Sequence, residues 1–290
     1  MKTFEFRGLP IRYVREGAGE PVVFLHNGGT SHAIWKDVLP RIARRREVFA
    51  LDLLGFGDSA KPGQGYSLDD YEAMLAAFVD SVVRAPLSLV GNCMGSAISL
   101  RFAMSRPREV RALVLINPLT EATFLGGSMG TLLRMRKAAP GMMRPVQRGL
   151  SGLRLPELFA KQSLRFQVGE EGRRRGVHEM DDLCACASAE SHMKSLVAVF
   201  DDLESYGTID RFVPDERFPP ICTIWGLQNR VLSPEAGRRL NATLRPRREF
   251  WLAGCGHLLM LEKPEEVGAI IEEALDAFVT GEAGISDQRL

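Results

Sequence analysis

A cysteine set between two glycines, at the seam of an apolar strand and an amphipathic helix, is the residue in this chain best placed to do chemistry. The segment reads Val90-Gly91-Asn92-Cys93-Met94-Gly95. A residue held on a tight strand-to-helix turn projects its side chain from the edge of the sheet. Glycines must flank it, because side chains there would collide with the neighbouring strand and helix. This is the setting of a G-x-S-x-G elbow, with cysteine in place of serine. The N-terminus of the helix lowers a thiol pKa and offers N–H groups to a developing oxyanion.

The elements that position this residue are legible on either side of it. Two short strands, around Thr3–Arg7 and Ile11–Arg15, open the chain. Six further apolar runs of strand length follow, at Pro21–Leu25, Val48–Leu51, Leu87–Val90, Leu113–Ile116, Ile221–Trp225 and Phe250–Leu252. Continuous apolar runs suit strands buried on both faces, as in a parallel sheet. Helical patterns alternate with them. Ser67 is an N-cap with Asp69 and Asp70 in the first turn, and Tyr71, Met74, Leu75, Phe78, Val79 and Val82 recur at helical spacing behind it. Ala97, Ile98, Phe102 and Ala103 form a second apolar face, stopped by Pro107, and Pro264 starts a third helix. The alternation predicts an α/β fold: a mostly parallel eight-stranded sheet with helices on both faces. Residues 119–215 interrupt it, reading as helices and loops, so the expected layout is a core of 1–118 and 216–290 with a helical cap at 119–215. Met129, Met135, Met142 and Met143 in that stretch read as core filling. Residues 281–290 read as a frayed tail.

With these motifs in order, the chain resembles the α/β-hydrolase superfamily over nearly its whole length. Leu25-His26-Asn27-Gly28-Gly29 is similar to that family's H-G-x loop, and Asp52-Leu53-Leu54-Gly55-Phe56-Gly57-Asp58-Ser59 to its D-x-x-G-x-G-x-S turn. Gly254-Cys255-Gly256-His257, followed by Glu262-Lys263-Pro264-Glu265, is similar to its G-x-G-H…E-x-P-E segment. The resemblance implies Cys93 as nucleophile and His257 as general base and acid. It implies the backbone N–H groups of Gly28 and Met94 as oxyanion donors. Asn27 stands where the family usually has glycine, and with Asn92 and Asn117 it is a possible pocket residue. His26 reads as a loop brace, Asp52 and Ser59 as turn formers, and Cys255 as buried filler.

The acid position departs from the family pattern. In Trp225-Gly226-Leu227-Gln228-Asn229-Arg230 an asparagine stands where aspartate is expected, and the alternative location after the sixth strand holds Asn117. The nucleophile has changed as well. A serine base must take a proton from a group of very high pKa, so a carboxylate that stabilises the imidazolium helps greatly. A thiol, with pKa near ~8.5, can form a thiolate–imidazolium pair, leaving the third residue only to orient the ring. An asparagine carbonyl does that in the Cys-His-Asn sites of papain-like proteases. On this reading Asn229 orients His257, and Cys93 is alkylated well below pH 8.

The bulk composition fits a small-molecule enzyme. With 37 basic and 36 acidic residues the formal charge is +1, and there is no concentrated basic patch for nucleic acid or a membrane surface. No apolar run reaches the ~18–20 residues needed to cross a bilayer. Five scattered cysteines and an N-terminus without an apolar signal segment lead to the expectation of free thiols in the cytoplasm. Neither a metal nor another cofactor is called for, and the sequence is silent on oligomeric state. The expected partner is a small, partly apolar acyl substrate. The expected reaction is hydrolysis of an ester or thioester through an acyl-enzyme. Acyl transfer to an alcohol, amine or thiol is the first alternative, and a non-catalytic small-molecule binder the second. The cysteine box, similar to that of the polyhydroxyalkanoate synthases, speaks for transfer.

Overall fold

Eight strands form one sheet in the order β1-β2-β4-β3-β5-β6-β7-β8. The computed structural model describes residues 1–131, 134–135, 156–189 and 192–280. Strands β1 (Lys2–Phe6) and β2 (Leu9–Glu16) are antiparallel, and β2 joins β4 (Glu47–Leu51) antiparallel. From there β3 (Pro21–Leu25), β5 (Leu87–Asn92), β6 (Val110–Ile116), β7 (Ile221–Gly226) and β8 (Arg248–Leu252) continue the sheet in parallel. The fold class expected from sequence is the one observed.

The two faces explain why the strands read as unbroken apolar runs. Val23, Leu25, Phe49, Leu51, Leu89, Leu113 and Leu115 enter one core with helix α2 (Leu68–Phe78) and α3 (Met94–Ser105). Their neighbours Val22, Phe24, Val48, Ala50, Val90, Ala112 and Val114 enter a second core with the short helix α1 (Leu39–Ile42) and the long C-terminal helix, residues Pro264–Thr280. Side chains alternate across a strand, so burial on both faces demands an apolar residue at every position. Helix α2 starts where its cap predicts: Ser67 accepts from the Asp70 amide, and the Asp70 carboxylate returns the bond to the Ser67 amide.

Between β6 and β7 the described residues contain helices and no strand. These are α4 (Glu121–Gly126), α5 (Glu157–Gln167), α6 (Glu170–Arg174), α7 (Asp181–Ser188), α8 (His192–Asp201) and α9 (Gly207–Asp210). Two of the methionines expected as core filling are not: Met129 and Met135 are exposed. Met142 and Met143, like residues 281–290, lie outside the described residues. No helix among the described residues is long and apolar enough to cross a membrane.

Candidate active site

The elbow is strained where a projecting side chain requires it. Cys93 has φ 52 and ψ −110, a region that non-glycine residues seldom occupy and that persists only when its surroundings enforce it. The flanking glycines have the expected cause. A Cβ on Gly95 would lie 2.1 Å from the Leu25 carbonyl oxygen of β3, and one on Gly91 would lie 2.3 Å from the Gly95 backbone. The Cys93 amide donates to the Ile116 carbonyl, tying the turn to the end of β6. Met94 is the first residue of α3, so its N–H has no carbonyl one turn back to accept it.

Gly28 is brought to the same place from the loop after β3. Its amide donates to no backbone carbonyl among the described residues. A Cβ built on Gly28 would lie 3.9 Å from Met94 Sδ, 3.9 Å from the Phe56 ring and 3.2 Å from Leu196 Cδ2, so the loop abuts the Met94 side chain at the start of α3 and a leucine of α8. His26 anchors the loop, as expected: Nδ1–H donates to the Asn27 carbonyl at 2.7 Å, and Nε2 accepts the Leu53 amide at 2.9 Å. Burial pushes its pKa down to about 4, which keeps the ring neutral for both bonds. Asp52 and Ser59 do build the next turn. The Asp52 carboxylate accepts the Asp58 amide and both the amide and Nδ1–H of His32, a partner with no mark in the sequence. A cavity of about 230 Å³ opens beside this loop, lined in part by His32, Lys61 and Cys186; neither Cys93 nor His257 borders it.

His257 enters from the loop after β8 and is buried, with 2 % of its surface exposed. Its ring Nδ1 lies 3.3 Å from Asn229 Oδ1, the partner expected from sequence. The same oxygen is fixed by the Val231 and Leu232 amides at 3.0 Å each, so the asparagine is held in place independently of the histidine. The His257 backbone is clamped as firmly. Its N–H donates to the Gln167 carbonyl of the insertion. Its carbonyl accepts from Asn92 Nδ2 at 3.3 Å and from Asn117 Nδ2 at 3.4 Å.

Those asparagines explain three amide side chains that the sequence offered only as possible pocket residues. Asn92 Nδ2 also bonds Asn27 Oδ1 at 3.2 Å, linking the elbow, the Gly28 loop and the His257 loop. Asn117, at φ 43, occupies a left-handed position that asparagine tolerates. Its Oδ1 accepts the Gly226 amide, and its Nδ2 reaches the carbonyls of Gly256 and His257. Asn27 spends its amide on Thr30, Asn92 and the Gly28 carbonyl. These side chains cross-link loops, and of the polar atoms of these four asparagines Asn92 Oδ1 and Asn229 Nδ2 are buried without a hydrogen-bond partner among the described residues. Glu262 completes the clamp, accepting the amides of Gly169, Gly256 and Leu258.

The electrostatics differ from the sequence expectation. Burial pushes the Cys93 thiol up to about 12, against a smaller opposing effect of the Met94 amide. Burial also pushes the His257 imidazole down to about 4. Both shifts favour neutral partners, and among the described residues no hydrogen bond joins the sulfur to the ring. These directions favour a thiol and an imidazole over the thiolate–imidazolium pair expected from sequence. The reason is that burial penalises both charges, and the depth at which Cys93 and His257 are buried is not written in the sequence.

Set beside known proteins, residues 20–264 match the family model of the alpha/beta hydrolase fold. The chain belongs to the α/β-hydrolase fold family. Within it, the chain is similar to a 2-hydroxy-6-oxo-2,4-heptadienoate hydrolase from Pseudomonas putida, 28% identical over 90% of this chain and 91% of the relative. It is similar also to a haloalkane dehalogenase from Mycobacterium bovis, 27% identical over 91% of this chain and 90% of the relative. A thermophilic esterase from Thermogutta terrifontis shares the fold, with a TM-score of 0.76 and 18% identity over 95% of this chain and 97% of the esterase. These proteins carry three different names, a heptadienoate hydrolase, a haloalkane dehalogenase and an esterase, on one scaffold, so the reaction of this member must be argued from its own residues.

Proposed function

We propose that this α/β-hydrolase cleaves small esters through an acyl-enzyme on Cys93, with His257 as base and acid and Asn229 orienting the ring. One observation carries the reading: the His257 ring meets a fixed Asn229 carbonyl while its backbone is tied, through Asn92, to the residue before Cys93. The groups needed for acyl transfer are thereby held by three loops that share one set of hydrogen bonds. Hydrolase relatives across the family support a hydrolytic enzyme.

In the proposed reaction the neutral imidazole takes the thiol proton as the sulfur attacks the carbonyl carbon. The carbonyl π pair moves to oxygen, where the N–H groups of Gly28 and Met94 stabilise it together with the α3 N-terminus. The C–O bond then breaks, its electron pair leaves on the alkoxide, and the imidazolium returns the proton to it. Water, activated by the same ring, releases the acid from the thioester. Acyl transfer differs only in the last acceptor. The missing carboxylate at Asn229 favours a rival reading, a binder that uses the same pocket without turnover.

Turnover of 4-nitrophenyl esters from acetate to dodecanoate, and of matching acyl-CoA thioesters, tests the choice. The wild type is expected to release product with at least one acyl length, and Cys93→Ala to lose that turnover by about 10³-fold or more. An inert wild type, or a Cys93→Ala variant as active as its parent, refutes the proposal. Alkylation reads the ground state directly. With the thiol pushed up to about 12, the thiolate fraction at pH 8 is about 10⁻⁴ and rises tenfold per pH unit. Iodoacetamide is therefore expected to modify Cys93 at a rate that climbs through pH 10 without levelling. A plateau below pH 8 would restore the ion pair.

A further inference from the structure

Tyr206 sits in the turn between α8 and α9, is wholly buried, and its hydroxyl has no hydrogen-bond partner. The nearby tyrosines differ: Tyr71 donates to the Leu54 carbonyl and Tyr66 to that of Pro62. An unpartnered buried hydroxyl costs stability, and phenylalanine would fill the same space without that cost, so the oxygen needs a reason to be there. Its surroundings supply one. Helix α9 packs on α3, the helix that begins beside Cys93, and on α4. Tyr206 shares one apolar core with Cys93, Met94, Leu119, Phe124 and Leu203. Burial first, then the nearby Asp202 and Cys93, hold the hydroxyl well above its ordinary pKa, so it donates without losing its proton.

Resting on the ester reading above, we propose that the Tyr206 hydroxyl donates a hydrogen bond to the leaving-group oxygen of an ester bound over Cys93, making this a site for oxygen esters in preference to thioesters. The assignment follows from what remains unserved. The carbonyl oxygen has the Gly28 and Met94 amides, and the acyl chain needs only apolar walls. The leaving oxygen is the one acceptor left. A sulfur nucleophile makes this help valuable. In the tetrahedral intermediate the thiolate is a better leaving group than an alkoxide, so collapse runs backward unless the alkoxide is stabilised. In the forward direction the C–O bond breaks, its pair stays on oxygen, and the His257 imidazolium supplies the proton. Tyr206 keeps its own proton and shares it as a hydrogen bond. A thioester leaves through sulfur, a weak acceptor, and draws little benefit.

The test is Tyr206→Phe across acetate esters of rising leaving-group pKa (4-nitrophenol, phenol, trifluoroethanol), with a phenyl thioester as control. Relative to wild type, kcat/KM is expected to fall by about 10- to 100-fold for the trifluoroethyl ester. The fall should be less than about threefold for the 4-nitrophenyl ester and the thioester, with Tm unchanged or raised. An equal loss on every substrate, or none on any, overturns the assignment and leaves the ester reading intact. A wild type inert to the whole series overturns that reading and this one together. Should Tm fall, the ratio between substrates still decides, because a packing defect slows all of them alike.

Discussion

Replacing Cys93 by serine is expected to lower turnover of a good ester by about 10³- to 10⁴-fold, and adding Asn229→Asp in the same chain to recover at least tenfold of it. The expectation follows from what each nucleophile asks of His257. A hydroxyl gives up its proton far less readily than a thiol, so the ring must carry fuller positive charge in the transition state. Here that charge would form in a pocket whose burial already holds the imidazole down to about 4, facing an amide that offers a carbonyl dipole and no net charge. An aspartate at 229 keeps the bonds to the Val231 and Leu232 amides that fix its position and supplies the missing charge. With Cys93 in place, Asn229→Asp alone is expected to change turnover by less than about tenfold. A Cys93→Ser variant as active as the parent would show that the asparagine is not matched to sulfur. So would a double variant no better than the single.

His257→Ala is expected to lower kcat by about 10³-fold or more while the protein stays folded. The backbone bonds of His257, to Gln167, Asn92 and Asn117, do not involve the ring and survive its removal. The pH profile gives this variant a second use. Because the resting thiol is kept neutral by burial and no bond from the ring supports a thiolate, the alkylation profile of Cys93 is expected to overlay that of the wild type. A profile displaced to higher pH in the variant would mean that the ring does hold the sulfur's charge. For the wild type, the low imidazole pKa keeps the base unprotonated, so kcat/KM is expected to persist down to about pH 5 and to fall below it.

The fold was legible because burial on both faces of a parallel sheet leaves a plain trace. Pro21–Leu25 is apolar throughout since Val22 and Phe24 face one core while Val23 and Leu25 face the other. Local chemistry was legible for the same kind of reason: Gly91 and Gly95 are where backbone contacts admit no side chain, and Ser67 caps the helix that follows it. The pairing of Asn229 with His257 could be read from the order of motifs. Three-dimensional partners could not. Tyr206 is one aromatic residue in a helical stretch, and only the packing of α9 on α3 places it in the core that holds Cys93. The bond from Asp52 to His32 crosses 20 positions with no motif to announce it. The ion-pair expectation failed because it took the thiol's pKa from solution, while the folded chain buries both Cys93 and His257 in a pocket that penalises charge.

Everything proposed for catalysis passes through a covalent bond to one sulfur. Intact-protein mass spectrometry after brief incubation with a 4-nitrophenyl ester reads it directly, with the modified peptide located by digestion. The account predicts a gain of one acyl group, carried on Cys93 and missing from Cys93→Ala. Product release with no mass gain at any quench time, or an acyl group found on another residue, would contradict it.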